Sequence, residues 1–133
     1  SIKHRDFWMP FTPSILYEDR KKYFKNKKKL NAFFMTLAFD STETGKKDIL
    51  AAIHERDMTL RPQLVKKKIN PFYHSLIKEF KSLTGVAALL NTSLNFHGKP
   101  IVLKPQDLLK EVIMNKAVEL NCVLIEDTLF QRK

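Results

Sequence analysis

The sequence predicts an α/β fold in which helices pack around one sheet. Short apolar runs with the length of buried strands alternate along the chain with amphipathic segments of helical spacing. The connections are short, and the sequence has no internal repeat and no low-complexity linker. Strands that alternate with helices in this way indicate one sheet with packed helices. At 133 residues, we expect a single domain over 1–133.

Extended and helical segments alternate through the first half of the chain. Pro10 and Pro13 favour an extended, packed segment over residues 7–16, because proline opposes a helix. A short helix is predicted over 17–24, and the apolar run 32–39 has the composition of a buried strand. The elements predicted next are a helical turn over 46–52, a loop over 54–61 and a strand over 62–67.

The clearest helix of the sequence lies between Asn70 and Gly85. Asn70 is a good N-cap, Pro71 suits the first helical position, and Gly85 follows the last turn. Apolar side chains at helical spacing predict a stripe that is buried against the sheet. His74 falls on the opposite, polar side and is expected at the surface. The stripe consists of Phe72, Leu76, Phe80 and Leu83, widened by Tyr73 and Ile77.

A polar loop over 91–100 joins two apolar runs in the second half of the chain. The runs, 86–90 and 101–103, each have the length of a buried strand. A second helix is predicted over 105–116 and two closing strands over 120–125 and 128–130. The buried face predicted for this helix consists of Leu108, Leu109, Val112 and Ile113.

The chain is strongly basic, with a net charge of +10. Such an excess favours phosphate-bearing or acidic partners. Lysines concentrate in two clusters, at 21–29 and at 66–68. Lysine runs are most often solvated surface, and neither cluster carries the arginines and aromatic residues of RNA readers. Contact with nucleic acid is therefore possible but the less favoured reading.

Several functional classes lack their sequence signals. The four histidines and Cys122 show no metal-ligand spacing, and no glycine-rich phosphate motif or glycine-flanked serine is present. The apolar runs are too short to cross a bilayer, and no signal-peptide pattern opens the sequence. A single cysteine allows no internal disulfide, which fits a reducing compartment. We therefore expect a cytoplasmic protein without membrane contact.

Basic and polar side chains remain as the candidate site. The cations are Lys3 and Arg5 near the start and Arg56 and Arg61 in the middle of the chain. Hydroxyl and amide groups follow in the polar loop, and together these groups are what a polyphosphate ligand requires. On composition alone, the loop also fits an ordinary turn, and the first two cations also fit a solvated terminus. The loop residues in question are Asn91, Thr92, Ser93 and Asn95.

Four segments, in order along the chain, carry a family resemblance. They are 2–16, 54–65, 70–73 with 83–86, and 89–95 running on to 98–102. These segments resemble the C-terminal domain of O-carbamoyltransferases of the NodU and tobramycin-carbamoylating type. The second segment, for example, is similar to the family form His-x-Asp-Gly-Thr-x-Arg-x-Gln. The resemblance covers nearly the whole chain.

The resemblance implies a fold, an activity and a partner. The fold would be YrdC-like, a twisted mixed sheet packed with helices. The domain would bind ATP, with Mg²⁺, and carbamoyl phosphate, and would form carbamoyl adenylate. An N-terminal actin-like domain of the same polypeptide, which carries its own metal, would then pass the carbamoyl group to a hydroxyl of an acceptor molecule.

The resemblance also implies roles for single residues. Lys3 and Arg5 match a Lys-x-Arg pair, Arg61 matches the central arginine, and Ser93 and Asn95 match a Ser-x-Asn pair. The three cations would neutralise phosphate charge while the α-phosphate is attacked, and the last pair would hold phosphate oxygens or the carbamoyl group. The expected catalytic residues are Lys3, Arg5, Arg61 and Ser93. The expected ligand contacts add His54, Asn91, Thr92 and Asn95.

Three positions depart from the family pattern. Met9 stands where relatives carry an arginine, Met58 replaces the glycine after Asp57, and Pro62 replaces an aliphatic residue. Losing an arginine from a phosphate site costs about 2–4 kcal/mol of charge-assisted contact. Two alternatives to the enzyme domain therefore stay open: a YrdC-like RNA-binding module, and a degenerate domain kept for structure or interaction.

Overall fold

The computed structural model describes residues 9–95, 98–109 and 122–131 and shows an α/β fold. The chain divides into two compact units, one over Phe7–Thr92 and one that contains Ser93–Lys133. Single turns of 3₁₀ helix occur at Tyr17–Asp19 and Leu50–Ala52. The remaining elements are β1 (Thr12–Leu16), α1 (Arg20–Tyr23), β2 (Phe39–Asp40), α2 (Glu43–Asp48), β3 (Thr59–Leu60), β4 (Gln63–Val65), α3 (Pro71–Thr84), β5 (Ala88–Asn91), α4 (Pro105–Leu108), β6 (Cys122–Ile125) and β7 (Thr128–Gln131).

A mixed three-stranded sheet forms the centre of the first unit, in the order β4-β1-β5. β1 runs parallel to β4, with Ser14 opposite Gln63, and antiparallel to β5, with Thr12 opposite Asn91. Residues 13–16 of β1 are completely buried. This confirms the mixed sheet that the resemblance implies. It also confirms the extended segment that the two prolines predict, as far as residues 9–16 are described.

Helix α3 has the predicted ends but a different buried face. The Asn70 side chain accepts a hydrogen bond from the Tyr73 amide at 3.0 Å, and Gly85 ends the helix with φ of 79°. The predicted apolar stripe is wrong at Phe72 and Leu83, which are 69% and 85% exposed, and right at its widened edge, where Ile77 is buried and Tyr73 packs against the core. Ile77 and, unexpectedly, His74 are the buried side chains of this helix.

Two acidic residues in the 3₁₀ turn after β1 explain the shifted face. Glu18 Oε1 lies 2.7 Å from His74 Nε2, and Asp19 Oδ2 accepts a hydrogen bond from Lys81 Nζ at 2.7 Å. Positions 74 and 81 are seven residues apart and share one helix face. Burial raises the pKa of Asp19, but hydrogen bonds from Lys81 and Lys22 outweigh burial and lower the pKa overall. The charged carboxylate therefore stabilises this face, and that stability is lost as the pH falls through the lowered pKa.

Two of the predicted strands are absent. Residues 32–38 form no strand because Met35 takes a left-handed φ of 59°, which breaks the extended run, and only β2 follows at its end. Residues 101–103 form no strand either, and Ile101 and Leu103 are exposed. The loop over 91–100 therefore does not join two buried strands.

In the second unit, β6 and β7 form the antiparallel hairpin that the closing strands predict. The second helix is described at Pro105–Leu108, where Leu108 is buried, but Val112 and Ile113 lie outside the described residues. Among the residues that are described, no helix combines the length and the apolar character that crossing a membrane requires.

The buried face of α3 can be tested by truncation. Ile77→Ala should lower the free energy of unfolding by about 2–5 kcal/mol, because it opens a cavity against the sheet. Leu83→Ala, the matched control on the exposed side, should change it by no more than about 0.5 kcal/mol. Urea unfolding followed by circular dichroism measures both values. A larger cost at Leu83 than at Ile77 would contradict the observed face.

Candidate functional site

A cleft with a volume of about 330 Å³ lies beside the segment that leads into β1. It brings together His54 and Arg61, two of the residues that the sequence assigns to the site. Met9, the position at which the resemblance predicts an arginine, also lines this cleft and is 40% exposed. The complete lining consists of Met9, Pro10, Phe11, Ala38, His54, Asp57, Thr59, Leu60 and Arg61.

The loop from His54 to Thr59 is closed by its own hydrogen bonds. The His54 amide donates to the Thr59 carbonyl at 2.8 Å, and the Met58 amide donates to the His54 carbonyl at 2.9 Å. Met58 takes a left-handed φ of 55°. The family glycine at this position therefore matches a conformation that glycine adopts without steric cost. The methionine keeps the same turn.

Asp57 is a cleft residue that the sequence interpretation did not assign to the site. Its Oδ1 accepts hydrogen bonds from the Thr59 hydroxyl at 2.7 Å and from the Thr59 amide at 3.0 Å. The hydroxyl bond, followed by the amide bond, lowers the pKa of Asp57. The carboxylate is thus held charged beside the His54 ring. The His-x-x-Asp spacing in the sequence was the signal that could have identified it.

The His54 ring faces this carboxylate through Nδ1. Nδ1 lies 3.2 Å from Asp57 Oδ1, but the alignment is not that of a hydrogen bond, and the nitrogen is buried. The side chain as a whole is 37% exposed. The other atoms of the side chain therefore supply its exposed surface.

Arg61 supplies a cation to the cleft wall. It follows β3, is exposed, and forms no ion pair within the part of the chain that the structure describes. Pro62, which follows it, is fully buried. The buried proline fixes the backbone next to the arginine, because its ring restricts φ. The guanidinium group is thus available to an anionic ligand.

Asn91, which is predicted to contact the ligand, bonds through its side chain to the neighbouring strands of the sheet. Its Nδ2 donates to Ser14 Oγ at 3.1 Å and to Gln63 Oε1 at 2.9 Å. Ser14 Oγ donates to the same Gln63 oxygen at 2.7 Å. The side chain thus links all three strands of the sheet, which gives it a structural role beside the predicted one.

The Ser-x-Asn pair lies in the second unit, on a loop whose side chains form hydrogen bonds within the loop. Ser93 Oγ donates to Asn95 Oδ1 at 2.7 Å, and Asn95 Nδ2 donates to the Lys99 carbonyl at 2.8 Å. Thr92, the last residue of the first unit, is exposed. Lys3 and Arg5 lie outside the described residues, so their convergence with Arg61 and Ser93 stays a prediction.

The described residues 9–95, 98–109 and 122–131 contain no group of three metal-ligating side chains. Asp57 is the carboxylate on the cleft wall. A single carboxylate fits Mg²⁺ that arrives with the phosphates of a nucleotide, since this ion is commonly held by one or two carboxylates and the substrate.

Comparison with known proteins places the whole chain in one family. The family described as "Carbamoyltransferase C-terminus" matches residues 1–132. The chain is 36% identical over 133 residues to an uncharacterised protein of Methanocaldococcus jannaschii, and 38% identical over 102 residues to nodulation protein NolNO of Sinorhizobium fredii. It is 29% identical over 131 residues to 3'-hydroxymethylcephem-O-carbamoyltransferase of Amycolatopsis lactamdurans.

The same alignments cover most of this chain but only a small part of each relative. They include 100%, 76% and 98% of this chain, in the same order, but only 21%, 15% and 24% of the three relatives. The chain therefore spans about a fifth of the length of these relatives.

The structural role of Asn91 predicts a loss of stability on truncation. Asn91→Ala should lower the free energy of unfolding by about 1–3 kcal/mol, because Ser14 and Gln63 lose a shared partner in a largely buried place. The exposed neighbour Thr92→Ala is the matched control and should stay within about 0.5 kcal/mol. Thermal and urea unfolding measure both. An Asn91→Ala protein as stable as the wild type would show that the network does not support the sheet.

Proposed function

Because the chain belongs to the family of carbamoyltransferase C-terminal domains, we propose that it performs the activation step of such an enzyme. It binds ATP and carbamoyl phosphate and forms carbamoyl adenylate. An actin-like domain of the same polypeptide then transfers the carbamoyl group to a hydroxyl acceptor. A relative named as an O-carbamoyltransferase is about four times as long as the part that aligns, which leaves room for such a companion.

The cleft beside β1 is the observation that carries the proposal. Both reactants are anions, and the cleft offers the Arg61 cation together with the His54 ring beside Asp57. Its volume of about 330 Å³ falls in the range of small-molecule sites. The net charge of +10 favours the approach of such ligands.

The proposed reaction balances with one water molecule. Water releases inorganic phosphate from carbamoyl phosphate, and an oxygen of the resulting carbamate attacks the α-phosphorus of ATP. The bond from that phosphorus to the bridging β-phosphate oxygen breaks, and pyrophosphate leaves. Mg²⁺, bound with the nucleotide, neutralises phosphate charge.

Residues of this chain have separate tasks in that reaction. Arg61, with Lys3 and Arg5, stabilises the negative charge that develops around the α-phosphate. The His54 ring donates a hydrogen bond to an anionic oxygen through the edge that does not face Asp57. Ser93 and Asn95, with Thr92 and with Asn91 at the end of β5, hold phosphate oxygens or the carbamoyl group.

Met9 sets how strongly the cleft holds its ligands. An arginine at this position would add a cation to the cleft wall, since the methionine already lines it. The methionine also favours the second candidate, a degenerate domain kept for structure or interaction, because it removes one phosphate contact. Restoring the cation therefore distinguishes a weakened ligand site from the absence of one.

Met9→Arg should tighten binding of ATP and carbamoyl phosphate by about 1.5–3 kcal/mol, roughly 10- to 150-fold, through a charge-assisted contact. Ser93→Ala should weaken it, and added salt should weaken binding in every variant. Met9→Leu is the neutral control and should bind as the wild type does. Calorimetric titration of the four proteins measures these differences.

Equal affinities in the wild type, Met9→Arg and Ser93→Ala would show that the ligands do not bind at the proposed site. Weaker binding in Ser93→Ala without a gain in Met9→Arg would keep the site but contradict the explanation of the departure at position 9.

A further inference from the structure

A second cavity, of about 340 Å³, lies beside residues 25–30, which we name the lysine loop. Four of its lining side chains are cations, two are asparagines, and none is a carboxylate. None of them lines the cleft at His54 and Arg61. The lining consists of Tyr17, Arg20, Lys21, Phe24, Asn26, Lys27, Lys29, Leu30, Asn31 and Leu64.

The lysine loop holds its charges in a fixed turn. Asn26 Oδ1 accepts a hydrogen bond from the Leu30 amide at 2.9 Å, and Asn26 Nδ2 donates to the Leu30 carbonyl at 2.8 Å. The Lys29 amide donates to the Asn26 carbonyl at 3.2 Å, with Lys29 at a left-handed φ of 53°. Lys27 and Lys29 are therefore presented to the cavity from an ordered backbone, which lowers the entropy cost of binding.

Arg20 is fixed on the other side of the cavity. Its Nη1 donates to the Tyr17 carbonyl at 2.5 Å, and its Cζ lies 3.9 Å from the centre of the Tyr17 ring. A guanidinium held against an aromatic face by a carbonyl oxygen keeps its position and its charge. It still has further N–H donors for a ligand.

Lys66, from the second lysine cluster, shares the Tyr17 ring with Arg20. Lys66 Nζ lies 4.2 Å from the centre of the Tyr17 ring and 4.8 Å from that of Phe33. Both rings come from other segments of the chain, so the lysine run itself does not show this contact. The Tyr17 ring already has Arg20, Lys66 and Phe33 against it. It offers little surface for a nucleic-acid base to stack on.

The acidic residues closest in sequence already have partners. Asp19 pairs with Lys22 and Lys81, and Glu18 pairs with His74. Asp40 lines a smaller neighbouring cavity on the lysine loop. Among the residues that the structure describes, the lysines at 21, 27 and 29 form no ion pair. An anion bound in the cavity would reduce the repulsion among these charges.

We propose that this second cavity binds a small ligand that carries two or more phosphate groups. Four cations around about 340 Å³ call for several negative charges in a small volume, which linked phosphates provide and single carboxylates do not. The recessed shape and the covered aromatic ring favour a small ligand over a nucleic-acid strand. The site is independent of the cleft, so it stands whether or not the cleft forms carbamoyl adenylate.

Calorimetric titration of the purified protein with inorganic tripolyphosphate tests the proposal. The double variant Lys27→Gln/Lys29→Gln should lose at least about tenfold in affinity, because two fixed cations leave the cavity. Lys67→Gln/Lys68→Gln removes the same charge from exposed positions that do not line the cavity and should lose less than about threefold. Arg61→Gln should weaken only the binding of tripolyphosphate to the cleft. Binding that persists in Arg61→Gln and is lost in Lys27→Gln/Lys29→Gln therefore belongs to the second cavity.

Thermal unfolding without ligand serves as the folding control. The Lys27→Gln/Lys29→Gln protein should unfold at the same or a higher temperature, since like charges are removed. Equal losses of affinity in the two double variants would overturn the proposal, because binding would then follow net charge alone. Loss of affinity in Arg61→Gln alone would assign tripolyphosphate to the cleft. Tight binding of a single-stranded RNA oligonucleotide without binding of tripolyphosphate would make the surface a nucleic-acid interface and contradict a small-ligand site.

Discussion

Burial of β1 between β4 and β5 is the constraint on which the rest of the first unit depends. The strand pairs on both edges, and its Ser14 hydroxyl joins Gln63 and Asn91 in one hydrogen-bonded set. A slip of one residue would turn these polar groups away from one another and place apolar side chains on the wrong face, so the set fixes the register. Residues 9–11, which form one wall of the cleft, come just before β1 in the chain, and the acidic pair Glu18 and Asp19 comes just after it.

The fold could be predicted where the signal is local. Asn70 and Gly85 mark the ends of α3 because capping depends on the residues at the helix ends themselves. The centre of the buried face could not be predicted, because Glu18, a partner distant in sequence, brings His74 inward beside Ile77 and leaves Phe72 and Leu83 exposed. The strand expected over 32–39 failed for a similar reason, since a single left-handed residue interrupts an otherwise apolar run.

In the candidate site too, local features could be predicted from the sequence and features that depend on folding could not. His54 and Arg61 share a cleft, as the family motif suggests, because they lie on one short segment. Asp57 was missed although it lies in the same motif, since its contribution comes from bonds to Thr59 that only the folded loop shows. The meeting of Lys66 with Tyr17 lay beyond any sequence argument, because it depends on packing between distant segments.

Carbamoyl-phosphate-dependent exchange of labelled pyrophosphate into ATP tests the central claim most directly. Formation of carbamoyl adenylate releases pyrophosphate reversibly, so label should enter ATP only when carbamoyl phosphate is present. Arg61→Gln should lower the rate by about 10²-fold or more, because a cation that stabilises the transition state is lost. Exchange that is absent in the wild type and in Met9→Arg, with both proteins folded, would contradict the assignment of carbamoyl activation to this domain.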